Sequence, residues 1–96
     1  MIAIRQLSAS NRFGRDLQDA PADIQAAALK ALNRLRENPA ARSLRLHSLS
    51  GYPKPMLWKI DVFANHSWQI TFELEGDAAV LKRLGTHRDV DRDPRG

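Results

Sequence analysis

The chain reads as an α+β protein: a short N-terminal strand, a two-helix hairpin, then a three- to four-stranded, mostly antiparallel sheet with the helices on one face. Three observations predict this. Apolar residues recur at a helical period between Phe13 and Leu35. From Leu44 onward the period changes to two. Only short, turn-forming stretches separate the later runs, and short connections join antiparallel neighbours. A length of 96 residues suits a single domain, 1–96, with one modest core.

Ile2 and Ile4 share one side and Arg5 takes the other, so Met1 to Leu7 is expected to hold a short strand. Ser8 or Ser10 can cap the helix that follows, because a hydroxyl there accepts an orphan N–H. Phe13, Leu17 and Ala20 then mark one helical face. Pro21 suits the first residue of a second helix, where its missing N–H costs nothing. Ile24, Ala28, Ala31, Leu32 and Leu35 form its apolar stripe, and Asn38-Pro39 stops it.

Leu44 and Leu46 are expected to face inward on the next strand, with Arg45 and His47 outward. Ser50 to Pro55 is a loop by its Gly and two Pro. In Met56 to Phe63, Trp58, Ile60 and Val62 oppose Lys59 and Asp61. Asn65-His66-Ser67 is a turn. Trp68, Ile70, Phe72 and Leu74 face in, opposite Gln69, Thr71, Glu73 and Glu75. Gly76-Asp77 is a tight turn before a last strand from Ala78 to Leu84. Residues 88–96 alternate in charge and are expected to form a flexible, solvated tail. Asp89, Asp91 and Asp93 resemble the start of a calcium loop, but that loop needs about 12 residues and a closing Glu.

Composition narrows the function. There is no cysteine, which removes disulfides and thiolate metal sites and fits a reducing cytoplasm. The first residues hold no apolar run of signal-peptide length, and no stretch is long enough to span a membrane. Fifteen Lys plus Arg against 11 Asp plus Glu give a net charge of +4. That balance suits an anionic partner, either nucleic acid or an acidic protein. Two Trp, one Tyr and three Phe do not furnish an extended platform for stacking bases.

If the helices cover one face of the sheet, the other presents Arg45, His47, Lys59, Asp61, Gln69, Thr71, Glu73 and Lys82. Lys54, His66 and His87 flank this set, and Arg83 lies beside it. Such a face has the chemistry to cut RNA without metal or cofactor. RNA supplies its own nucleophile in the 2′-hydroxyl. The protein must supply a base, an acid and cations for the charged phosphorane. Histidine suits both proton roles, and Lys and Arg suit the third. His87 and His47 are therefore the candidates for the proton roles, with Lys59 among the cations, whereas His66 beside Asn65 reads more readily as turn chemistry. The candidate RNA contacts are Lys54, Arg45, Lys82, Arg83 and Gln69. The three histidines lack the spacing of a metal site. Trp58 and Trp68 alternate with aliphatic residues, as core residues do.

The order of elements resembles the RelE/ParE superfamily of toxins from type II toxin–antitoxin systems. Leu44-Arg45-Leu46-His47-Ser48-Leu49-Ser50-Gly51, the Trp58 strand, Trp68 to Leu74 and Leu84-Gly85-Thr86-His87-Arg88-Asp89-Val90 carry the resemblance. Histidines before Ser-Leu-Ser-Gly and after Gly-Thr look most like the YafQ-type ribonucleases. The resemblance implies cleavage of mRNA on the ribosome and inhibition of translation. It also implies a hetero-oligomer with an acidic, partly disordered antitoxin. His87, His47 and Lys59 match the family's positions. Asp61 stands where relatives carry Lys or His, Gln69 where many carry Arg, and His66 near a functional turn position. The resemblance leaves open a ParE-type toxin directed at DNA gyrase and a non-catalytic, antitoxin-binding member.

Overall fold

Among the residues described by the computed structural model (2–63, 65 and 67–96), five strands form one sheet in the order β1-β5-β4-β3-β2. The elements are β1 (Gln6–Ala9), α1 (Asn11–Asp19), α2 (Ala22–Glu37), a single 3-10 turn (Arg42–Leu44), β2 (His47–Leu49), β3 (Leu57–Asp61), β4 (Trp68–Glu75), β5 (Ala78–Thr86) and α3 (His87–Arg92). β1 runs parallel to β5, and the other neighbours are antiparallel.

Pairing sets where β1 begins. Its partner β5 starts at Ala78, which lies opposite Gln6, so the ladder cannot extend back over the first residues. The strand expected from Met1 therefore lies at Gln6–Ala9, while Ile4 packs into the core ahead of it. Ser10 is the cap of α1: its Oγ accepts the Phe13 N–H at 3.1 Å. Pro21 sits one place earlier than expected, as the residue preceding α2. The expected stripe Ile24, Ala28, Ala31, Leu32 and Leu35 is buried along its whole length. Its last four residues, with Phe13, meet Ile60, Ile70, Phe72, Leu81 and Leu84 from the sheet. Each large side chain so buried contributes roughly 1.5–3 kcal/mol. Trp58 and Trp68 pack against the same core.

Two departures matter for the site. The strand expected from Leu44 is only His47–Leu49, because Arg45 takes a left-handed backbone (φ 46°, ψ 47°) and ends the 3-10 turn. The second departure is a bulge in β5. Thr71 pairs with Arg83 and Phe72 with Leu81, so Lys82 is an extra residue without a partner. Leu81 and Leu84 thus both face the helices, and Arg83 takes the place on the second face that alternation assigns to Lys82.

That second face is not open. Lys59, Asp61, Gln69, Thr71 and Arg83 are all buried there. Residues 88–96, expected to be flexible, fold over it instead. Thr86 caps α3 by accepting the Asp89 N–H, and Val90 is fully buried. Gly85 lets α3 approach: a Cβ there would meet Asp89 Cβ and Val90 Cγ2, both at 3.4 Å. Beyond α3, the Pro94 carbonyl accepts from Thr71 Oγ1 at 2.6 Å and the Asp93 carbonyl from Arg83 Nη1 at 2.8 Å. Arg95 pairs with Glu73 at 2.9 Å. A charged tail becomes ordered here because the sheet face it covers is polar and offers donors and acceptors that burial would otherwise leave unmatched.

Candidate active site

Cross-strand register builds the site. His47 lies opposite Lys59, Lys59 opposite Thr71, and Thr71 opposite Arg83, so four strands place one row of polar residues on the face under α3. The two ends of the row differ. Arg83 Nε donates to Asp16 Oδ2 at 2.8 Å, and Thr71 is tied to Pro94. That end is a structural anchor.

The other end collects titratable groups at the edge of the sheet. Lys59 Nζ donates to Asp91 Oδ1 at 3.2 Å, with only 7% of the lysine side chain exposed. The second oxygen of Asp91 accepts from His87 Nδ1 at 2.9 Å. His87 opens α3 and Asp91 stands four residues on, so one helical turn brings them to the same side. The His87 N–H bonds the Ser67 carbonyl at 3.1 Å, which fixes the start of that turn to the residue before β4. The His87 side chain is 55% exposed.

His47 is held differently. Its Nδ1 lies 2.6 Å from the Arg45 carbonyl. A carbonyl can only accept, so Nδ1 carries the proton. The same holds for His87 against a carboxylate. In both rings Nε2 is the nitrogen left for chemistry. The site thus combines two imidazoles, each with Nδ1 against an acceptor, with a buried ammonium bonded to the acceptor of one of them.

No protein-family model matches the chain, and no curated protein matches its sequence. Solved structures do match. YafQ from E. coli strain BL21(DE3) superposes with a TM-score of 0.72 at 19% identity, covering 90% of this chain and 97% of that one. A chain of the E. coli DinJ–YafQ toxin–antitoxin complex gives 0.72 at 18% identity, covering 91% and 98%. The isolated E. coli RelE toxin gives 0.64 at 14% identity, covering 92% and 97%. This chain has the RelE toxin fold.

Within that RelE fold the candidates read from the sequence lie in different places. Lys59 and His87 are joined through Asp91, and His47 lies opposite Lys59 in the ladder. Asp61 and Gln69 form the adjacent row: Gln69 Nε2 donates to Asp61 Oδ1 at 3.0 Å, and Arg45 Nε donates to Asp61 Oδ2 at 2.7 Å. Lys59, Asp61, Gln69 and Arg83, all expected on an open surface, are buried. Burial follows for Gln69 from the packing over β4 and for Arg83 from the bulge. Lys54 is exposed in the loop before β3, and Lys82 is half-buried at the bulge. His66 lies outside the described residues.

Asp91 was not among the candidates, although a signal for it exists. Thr86 followed three residues later by Asp89 has the form of a helix start, and a helix beginning there places His87 and Asp91 on one side. Asp16 was also missed. It accepts from Arg12, Arg83 and the Leu84 N–H, and nothing local in the sequence points to a partner so distant in the chain.

Proposed function

We propose that this chain is the toxin of a type II toxin–antitoxin pair, an endoribonuclease that cuts mRNA on the ribosome and so stops translation. The observation that carries this reading is the pair of imidazoles, His47 and His87, each with Nδ1 engaged and Nε2 directed away from its support, beside the buried Lys59 ammonium. Similarity of fold to YafQ and RelE supports it.

In this reaction one imidazole Nε2 accepts the proton of a 2′-hydroxyl. The freed oxygen attacks the adjacent phosphorus, and the bond from phosphorus to the 5′-oxygen breaks. The second imidazole, entering as imidazolium, donates its Nε2 proton to the departing 5′-oxygen. The products are a 2′,3′-cyclic phosphate and a 5′-hydroxyl end. Lys59 supplies positive charge to the phosphorane, and its burial strengthens that charge relative to an exposed lysine. Asp91 positions Lys59 and His87 together. Lys54, exposed in the loop before β3, is the accessible cation for a flanking phosphate, whereas the Arg45 head is committed to Asp61.

The partner is an acidic antitoxin, and both proteins work in the cytoplasm. The net charge of +4 favours an acidic partner. A groove of about 310 Å³ between α2 and β3 suits an acidic amphipathic segment, with Lys30 and Arg34 beside Ala31, Leu44 and Phe63.

The test is to add the purified chain to ribosomes carrying a defined mRNA and map new ends by primer extension, beside His47→Ala and His87→Ala. Cuts that vanish in both variants support the reading. Growth arrest in cells that survives both substitutions, with no mRNA cuts, points instead to another target such as DNA gyrase.

A further inference from the structure

Asp61 and His47 are linked through one residue. Asp61 Oδ2 accepts Arg45 Nε at 2.7 Å, and its other oxygen accepts Gln69 Nε2 from β4. The carboxylate is fully buried, whereas half of the Arg45 side chain is exposed. Asp61 is thus anchored in the sheet, and the Arg45 head is anchored to Asp61. Arg45 itself holds a left-handed backbone, which is unfavourable for a residue with a Cβ. That conformation turns its carbonyl back onto the His47 ring, 2.6 Å from Nδ1.

Register explains why these three residues meet. His47 pairs with Lys59. Two residues before His47 stands Arg45, and two residues after Lys59 stands Asp61. A continued antiparallel ladder would set Arg45 and Asp61 opposite each other. The left-handed turn ends the ladder, yet the long Arg45 side chain still spans to its register partner. The ion pair therefore replaces the backbone pairing that the turn removes.

We infer that Asp61 is a positioning residue for His47: it clamps Arg45 in the left-handed turn, and the Arg45 carbonyl then holds the His47 proton on Nδ1 and leaves Nε2 to act. Buried as it is, Asp61 does not touch the RNA. The effect on cleavage rests on the nuclease reading above, while the effect on the tautomer does not.

The experiment uses the full chain with 15N-labelled histidine, observed by long-range 1H–15N spectra near pH 8, where neutral imidazole dominates. In the wild type, His47 and His87 both show Nδ1–H. The free side chain favours Nε2–H, so Arg45→Ala moves His47 toward Nε2–H and leaves His87, held by Asp91, unchanged. Asp61→Leu, which leaves the Arg45 head no acceptor there, does the same. Because Asp61 is buried, Arg45→Ala keeps the question decidable if Asp61→Leu does not fold. On ribosome-bound mRNA both variants lower kcat by about 10–100-fold with little change in KM. His47 remaining Nδ1–H in a natively folded Arg45→Ala chain overturns the inference. So does a rise in KM alone, which would make Arg45 a phosphate contact. A tautomer switch in a chain whose wild type cuts no RNA upholds the clamp and overturns the nuclease reading.

Discussion

His87 Nδ1 donates to Asp91 Oδ2 at 2.9 Å, one turn along α3. The same carboxylate receives Lys59 Nζ from β3 at 3.2 Å. A single side chain on a six-residue helix therefore pairs with both the imidazole and the buried ammonium. The helix is held to the sheet by Val90 over Gly85 and by the tail beyond it.

The first consequence concerns Asp91 itself. Asp91→Asn retains the size of the side chain but removes its charge and one acceptor. Cleavage by the variant is expected to fall by up to about 10⁴-fold, the loss seen when the carboxylate orienting a general-base histidine becomes an amide. His87 loses its fixed Nδ1–H state, which the same 15N spectra report, while His47 retains its own.

Lys59 separates charge from packing. Lys59→Met fills the same volume without the ammonium, and Asp91 is half-exposed, so its carboxylate is solvated when the lysine is gone. The melting temperature is expected to stay within a few degrees of wild type, because replacing a buried charge by an apolar isostere is often neutral. Single-turnover cleavage is expected to fall by about 10²–10³, the usual effect of removing one group that stabilises transition-state charge.

Asp16 makes the opposite forecast. It accepts from Arg83 Nε at 2.8 Å and the Leu84 N–H at 3.0 Å, and among the described residues it bonds neither His47 nor His87. Asp16→Ala leaves the Arg83 guanidinium buried with only the Asp93 carbonyl. Urea denaturation should show a loss of about 3–5 kcal/mol. Cleavage per folded molecule should stay near wild type at a temperature where the variant is native.

Much of this architecture was legible in the sequence, because burial leaves a period. The α2 stripe from Ile24 to Leu35 and the alternation around Ile60 and Ile70 read directly. What did not read was the polar face. Lys59, Asp61, Gln69 and Thr71 look like a solvated set because nothing local tells a polar residue that faces water from one that faces a covering tail. The tail hides its own docking, since Val90 alone among its residues 87–92 is apolar and one residue has no period. The bulge left a weak trace: Leu81 and Leu84 are three apart, which strict alternation cannot place on one side. His47 and His87 were singled out by their chemistry. Asp91 and the Arg45–Asp61 clamp depend on contacts that only the folded register creates.

The most direct test of the two-imidazole mechanism replaces the bridging 5′-oxygen at the cut site with sulfur. A thiolate departs without being protonated, so the general acid is no longer needed. On the oxygen substrate, His47→Ala and His87→Ala should each lose about 10²–10⁴ in rate. On the sulfur substrate one of the two variants should recover to near the wild-type rate, and the other should stay slow. If both variants cut the oxygen substrate as fast as wild type, or if sulfur rescues neither, His47 and His87 are not an acid–base pair.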